Sequence, residues 1–234
     1  MDVKKYWEDI DANLEKLMEN GSVKLPTIRG FGLESLANDI LHEMGPDTFR
    51  EQCLSHKLFL EELAIHEYLL PKLFDIARND LGFEGKLSNQ YHIARKVAPG
   101  NYREMYRAHF DSHLFTLVLP IQIPTSKGGA AGELIYFPKA RKKPKNEISN
   151  FLGKAYHKRF ASKFGLENYS SNHPQMTEDF LDYEPLLFIG NTTLHTNKQV
   201  SLGCSDVRLT LLAHFFDPSP QYGIGGVLRM LRRR

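Results

Sequence analysis

The stretch "YRAHFDSHLFTLVLPIQIP", residues 106–124, joins two kinds of sequence. Its second half, with Leu114, Phe115, Leu117, Val118, Leu119 and Ile121, is an apolar run typical of a buried strand. Its first half sets His109, Asp111 and His113 two residues apart at the mouth of that run. Alternate residues of a strand project to one face, so the three are expected to point the same way. Placing such groups against a core costs several kcal/mol unless they are paired or hold a ligand.

The rest of the second half reads alike. "YHIARKV", "GELIYFP", "PLLFIGNTTLH" and "DVRLTLLAHFF" are β-type runs, separated by "APGN", "TSKGGAAG" and "DPSP". Few helices lie between them, which argues against a parallel α/β sheet and for an antiparallel sandwich or jelly roll. Parity sorts the side chains of the last run. Val207, Leu209, Leu211, Ala213 and Phe215 share an apolar face, while Arg208, Thr210, Leu212 and His214 share the other. Asn191, Thr193 and His195 share a face of "PLLFIGNTTLH" and are expected to join the same polar interior.

Residues 1–86 read as helices with one apolar face each, suited to covering the apolar side of the sheet. "VKKYWEDIDANLEKLMENG" carries Trp7, Ile10, Leu14 and Leu17 at helical spacing. "GLESLANDILHEMG" stops at Gly45, Asp47 is the expected N-cap of "PDTFREQCLSH", and Pro71 interrupts or restarts a long apolar helix. The chain is expected to be a single domain over 1–234. Residues 1–86 support a β core over 87–218, an insert over 139–183 lies over the active-site mouth, and 219–234 form a tail. Within the insert, "NEISNFLGKAYHKRFASKFG" reads as helical.

Two imidazoles and one carboxylate can occupy one face of an Fe(II) ion and leave positions open for other ligands. His109 and Asp111 lie about 7 Å apart along a strand and can converge on one ion. A third ligand can come from His195 on another strand, or from His113 in a cupin-like cluster.

The pattern "HFDSHLFTLVL", then "LFIGNTTLH", then "VRLT" resembles the 2-oxoglutarate and Fe(II)-dependent oxygenases over residues 90–216. The resemblance implies a double-stranded β-helix, a jelly-roll variant, buttressed by the N-terminal helices. It implies iron held by His109, Asp111 and His195, and 2-oxoglutarate held by Arg208 and Thr210. His113 is left as a substrate contact. The chemistry implied is O2 activation coupled to decarboxylation of 2-oxoglutarate to succinate, with oxidation of an unactivated C–H bond. The expected substrate is a small polar metabolite, an amino acid or a derivative. Related halogenases carry Gly or Ala in place of the carboxylate, so Asp111 implies hydroxylation rather than halogenation, while desaturation or ring formation depends on substrate pose and stays open. Independently of the family, a strand Arg with a Thr one pleat away is a suitable clamp for a carboxylate.

Composition bounds the alternatives. The 234 residues carry a net charge of +2 with 41% hydrophobic residues, an ordinary balance that does not point to nucleic acid. With two distant cysteines, Cys53 and Cys204, no disulfide framework is expected and a cytoplasmic location is the default. No apolar run approaches the roughly 20 residues of a membrane span. Between Lys139 and Lys163 there are nine Lys or Arg and one acid, Glu147, so the insert is a candidate attractor of anions. The rival from another class is a non-catalytic β-sandwich that binds a sugar or peptide.

Overall fold

A computed structural model describes residues 2–102, 105–125, 129–144 and 146–219. The strands form two antiparallel sheets. The larger has six strands in the order β1 (Ser22–Lys24), β7 (Leu186–Ile189), β4 (Phe115–Gln122), β9 (Arg208–Phe215), β3 (Gln90–Val97) and β2 (Phe49–Glu51). The smaller has three, β6 (Met176–Glu178), β5 (Leu134–Phe137) and β8 (Leu194–Asn197). The chain passes between sheets from β4 to β5 and from β7 to β8. The result is a double-stranded β-helix, or jelly roll, with helices against it. The run "PLLFIGNTTLH" is therefore two strands, one in each sheet, joined across Gly190–Thr193.

Six helices precede the β core: α1 (Val3–Tyr6), α2 (Ile10–Asn20), α3 (Leu33–Met44), α4 (Leu54–Glu62), α5 (Ile65–Tyr68) and α6 (Leu70–Asn79). The single N-terminal helix expected from periodicity is divided at Trp7, whose buried indole donates to the Leu63 carbonyl at 2.7 Å. Gly45 ends α3 with φ at +53°, as its position suggests. Asp47 does not cap a helix. Residues 49–51 instead extend the sheet edge against β3, and α4 begins behind Cys53. The backbone N–H groups of Leu54 and Ser55 donate to the Glu43 carboxylate at 2.7 and 2.8 Å, so a neighbouring helix supplies the cap. Pro71 lies in the first turn of α6 and separates it from α5.

Strand parity then divides the larger sheet. Leu209, Leu211, Ala213 and Phe215 of β9 pack with Leu117 and Leu119 of β4 and with Leu17, Ile40, Phe59 and Leu73 of the helices. Each fully buried leucine contributes about 1.5–3 kcal/mol. Between the sheets, Val118, Leu134, Tyr136, Phe180, Leu186 and Phe188 fill part of the interior and leave the rest open. The segment 139–183 folds as α7 (Glu147–Lys158) and α8 (Lys163–Ser170), but it is not wholly an insert, because its Met176–Glu178 is β6, paired with β5 in the core. Residues 220–234 of the tail lie outside the described residues. Among the described residues no helix is long and apolar enough to cross a membrane.

Candidate metal centre

His109, Asp111 and His195 each offer one ligand atom, and these atoms lie within 4.8 Å of one another. The Nε2 atoms of His109 and His195 are 3.6 and 3.7 Å from Asp111 Oδ1. The backbone assembles the set. His109 and His195 exchange two main-chain hydrogen bonds, 3.1 and 3.0 Å, in an isolated bridge outside the regular strands. Asp111 N–H donates to Gly190 O at 3.2 Å, which draws the carboxylate toward the turn between β7 and β8.

Both imidazoles are preset as ligands. Nδ1 of His109 faces the Arg107 carbonyl at 2.8 Å, and Nδ1 of His195 faces the Thr193 carbonyl at 3.2 Å. A carbonyl only accepts, so each Nδ1 carries the proton and each Nε2 presents its lone pair inward. Burial pushes His195 down to about 4, against the pull of Asp111, which keeps the ring neutral at ordinary pH. Burial alone would raise the Asp111 carboxyl. The facing rings of His195, His214 and His109 and the Thr116 hydroxyl outweigh it and hold the group below the usual carboxylate range. A neutral His195 ring and an ionised Asp111 carboxylate are the protonation states that binding a divalent metal requires of them. The residues therefore fit a metal ion.

Asp111 Oδ2 faces Thr116 and His214, with His214 Nδ1 3.7 Å away. It accepts from Thr116 Oγ1 at 2.6 Å, and His214 Nδ1 lies 3.1 Å from the same hydroxyl. Gly190 makes this packing feasible. A Cβ there would lie 2.7 Å from Thr116 Oγ1 and 3.1 Å from Asp111 Cβ.

The cavity beside these ligands is about 860 Å³ and also holds Arg208 and Thr210. Arg208 is 4% exposed, and its guanidinium donates to the Gly132 carbonyl and stands over the Phe180 ring at 5.4 Å. Burial, reinforced by the neighbouring Arg95, pushes it down to about 9. Gly132, at φ +83°, makes room for the Arg208 side chain, because a Cβ there would lie 2.9 Å from Arg208 Cδ.

Not every residue singled out in the sequence meets here. The alternation expected over 109–113 is not that of a strand, since β4 begins at Phe115 and residues 110–114 run irregularly. The irregular backbone separates His113 from His109. The His113 ring stacks on His214 at 5.1 Å and on Tyr91 at 5.9 Å, and it is not among the cavity-lining residues. Asn191 and Thr193 lie in the turn before β8 and do not line the cavity either. Thr116, His214 and Gly190 were not assigned to the site from sequence. Arg95 was missed too, although its parity with Tyr91 and Ile93 on β3 carries the signal. It faces the cavity opposite Thr210 and donates to Asn197 Oδ1 at 2.6 Å.

No protein-family model and no curated relative matches the chain. Solved structures do. A prolyl-4-hydroxylase of Pseudomonas putida aligns over 88% of this chain and 97% of its own, with a TM-score of 0.54 and 13% identity. A prolyl 4-hydroxylase of Phytophthora capsici aligns over 99% and 76%, with a TM-score of 0.55 and 15% identity. The epimerase SnoN from nogalamycin biosynthesis, in complex with Fe3+, alpha ketoglutarate and a nogalamycin compound, aligns over 90% and 84%, with a TM-score of 0.50 and 12% identity. The chain has the double-stranded β-helix fold of the 2-oxoglutarate/Fe(II)-dependent oxygenases.

Proposed function

We propose that this chain is an Fe(II)- and 2-oxoglutarate-dependent oxygenase that hydroxylates a C–H bond of a small metabolite, an amino acid derivative being the first candidate. His109, Asp111 and His195 would hold the iron, and Arg208 with Thr210 the distal carboxylate of 2-oxoglutarate. Iron bound there with 2-oxoglutarate and O2 supplies oxidative decarboxylation to succinate coupled to oxidation of the substrate.

One observation carries the proposal. Two imidazoles with Nδ1 fixed on carbonyls aim Nε2 at one carboxylate oxygen, beside a cavity with a buried guanidinium. The residues have separable tasks. The Arg107 and Thr193 carbonyls fix the tautomers, and the Thr116 hydroxyl restrains the carboxylate rotor. Arg208 offers a buried cation that a dicarboxylate would neutralise. A carboxylate at 111 fills the position that the halogenase pattern leaves to halide, which favours hydroxylation. We further propose a single domain in which α7 of the 139–183 segment covers the cavity, supported by Phe151, Lys154 and Ala155 in its wall.

The test is succinate formation from 2-oxoglutarate under O2 with added Fe(II). The wild-type chain is expected to produce succinate and His195→Ala to produce none, with an unchanged circular dichroism spectrum. Turnover by His195→Ala near the wild-type rate would remove His195 from the ligand set.

A further inference from the structure

The cavity wall is one-sided in charge. Five of its residues are Lys or Arg: Arg95, Arg107, Lys154, Lys158 and Arg208. Among the described lining residues the carboxylate is Asp111 alone, and its two oxygens face His109, His195, His214 and Thr116. The cations fall into two groups. Arg208 is buried at the base, with Arg95 two rungs along the sheet from it. Arg107, Lys154 and Lys158 belong to the metal end and to α7. The Arg107 carbonyl holds the His109 ring, and Lys154 Nζ is 3.2 Å from the hydroxyl of Ser112, the residue after Asp111.

Apolar surface accompanies this second group. Phe110, Phe151, Ala155 and Ala161 line the same wall. Phe151, on the same face of α7 as Lys154, Ala155 and Lys158, is 61% exposed although it lines this wall, where a large apolar side chain gains nothing from water. Cationic groups beside apolar surface, next to the metal ligands and apart from Arg208, suit one kind of molecule.

We infer that the primary substrate is an organic anion with an apolar body and no free ammonium group, its carboxylate, sulfonate or phosphate meeting Lys154, Lys158 and Arg107. The inference rests on the oxygenase proposal and sharpens its substrate. A free α-amino acid would bring an ammonium among like charges, with the metal-facing Asp111 as the one carboxylate among the described lining residues. Like charges in a partly desolvated site are disfavoured. Among amino-acid derivatives this selects those with a blocked amine.

The experiment is a calorimetric titration of the full chain with matched probes on phenyl, naphthyl and octyl bodies. For the phenyl body the set is N-acetyl-L-phenylalanine (anion), its methylamide (neutral), L-phenylalanine (zwitterion) and L-phenylalanine amide (cation). On at least one body the anion is expected to bind about tenfold more tightly than the neutral and zwitterionic forms, the sum of a few partly screened charge pairs. The double variant Lys154→Met/Lys158→Met should shrink that preference to about twofold or less. A zwitterion or cation that binds as tightly as its matched anion overturns the inference. So does a preference untouched in the double variant, or a panel in which no anion binds. The succinate assay separates this from the parent proposal. Anion selectivity without succinate formation removes the oxygenase and keeps the anion site, and succinate formation without anion selectivity does the reverse.

Discussion

The two faces of β9 are made by the same eight residues and obey different rules. Outward, Leu209, Leu211, Ala213 and Phe215 are 0% exposed and belong to the main apolar cluster with the helices. Inward, Arg208, Thr210 and His214 are nearly as buried, at 4%, 5% and 8%, yet they line an open cavity. Burial alone does not distinguish a structural face from a working one. The distinction is whether the buried groups are completed by the protein itself. The outward leucines are finished by the helices. The inward Arg208 has a carbonyl, an aromatic ring and the partial electrostatic support of Glu133, and its side chain still lines the open cavity.

The sharpest way to break this comparison is to truncate one residue on each side. Leu211→Ala leaves a cavity inside the main apolar cluster, where the fully buried neighbours have little freedom to collapse. A loss of stability toward the upper end of about 2–5 kcal/mol is expected by urea denaturation, with 2-oxoglutarate affinity unchanged in the fraction that remains folded. Arg208→Met should do the opposite. Replacing a buried charge with an apolar chain of similar volume is neutral or mildly stabilising, while 2-oxoglutarate binding should weaken by roughly 2–3 kcal/mol. A denaturation midpoint that falls in Arg208→Met as far as in Leu211→Ala would make Arg208 structural and end the distinction.

The division of β9 is legible in sequence because its eight residues keep an unbroken period of two, and any inward polar residue stands out against Leu and Phe. The same rule misleads at 109–113. His109, Asp111 and His195 do converge, but through an isolated bridge and a turn rather than through strand alternation. The His-x-Asp spacing points to the ligands, whereas the position of His113 follows from an irregular backbone that carries no periodic signal. Gly190 is harder still to read. Its role is a close approach between residues far apart in the chain, which spacing does not encode. The helical half misleads once in a related way. Asp47 has the local chemistry of a cap, but the open edge of β3 binds residues 49–51 more strongly than a helix start would.

The smallest effect lies where the two layers meet. His56 of α4 is 1% exposed against the outward side of β3, its ring 5.6 Å from that of His92. Neither His56 Nε2 nor His92 Nδ1 has a hydrogen-bond partner. Burial, with His92 opposite, pushes His56 down to about 3, and burial takes His92 down to about 4. An unfolded histidine titrates near 6.5. Below that pH the unfolded chain binds protons that the folded chain refuses, so stability is full above about pH 6.5 and is lost as pH falls toward the folded values. At pH 5 the penalty for His56 is about 2 kcal/mol relative to pH 7.5. His56→Leu removes the titrating group and should flatten the dependence of the urea midpoint by that amount, and its stability at pH 7.5 should change far less than that of Leu211→Ala. The pH difference is the decisive readout, because it is insensitive to any packing defect the leucine introduces. An identical loss between pH 7.5 and 5 in the wild type and in His56→Leu would mean that the acid sensitivity resides elsewhere than at His56.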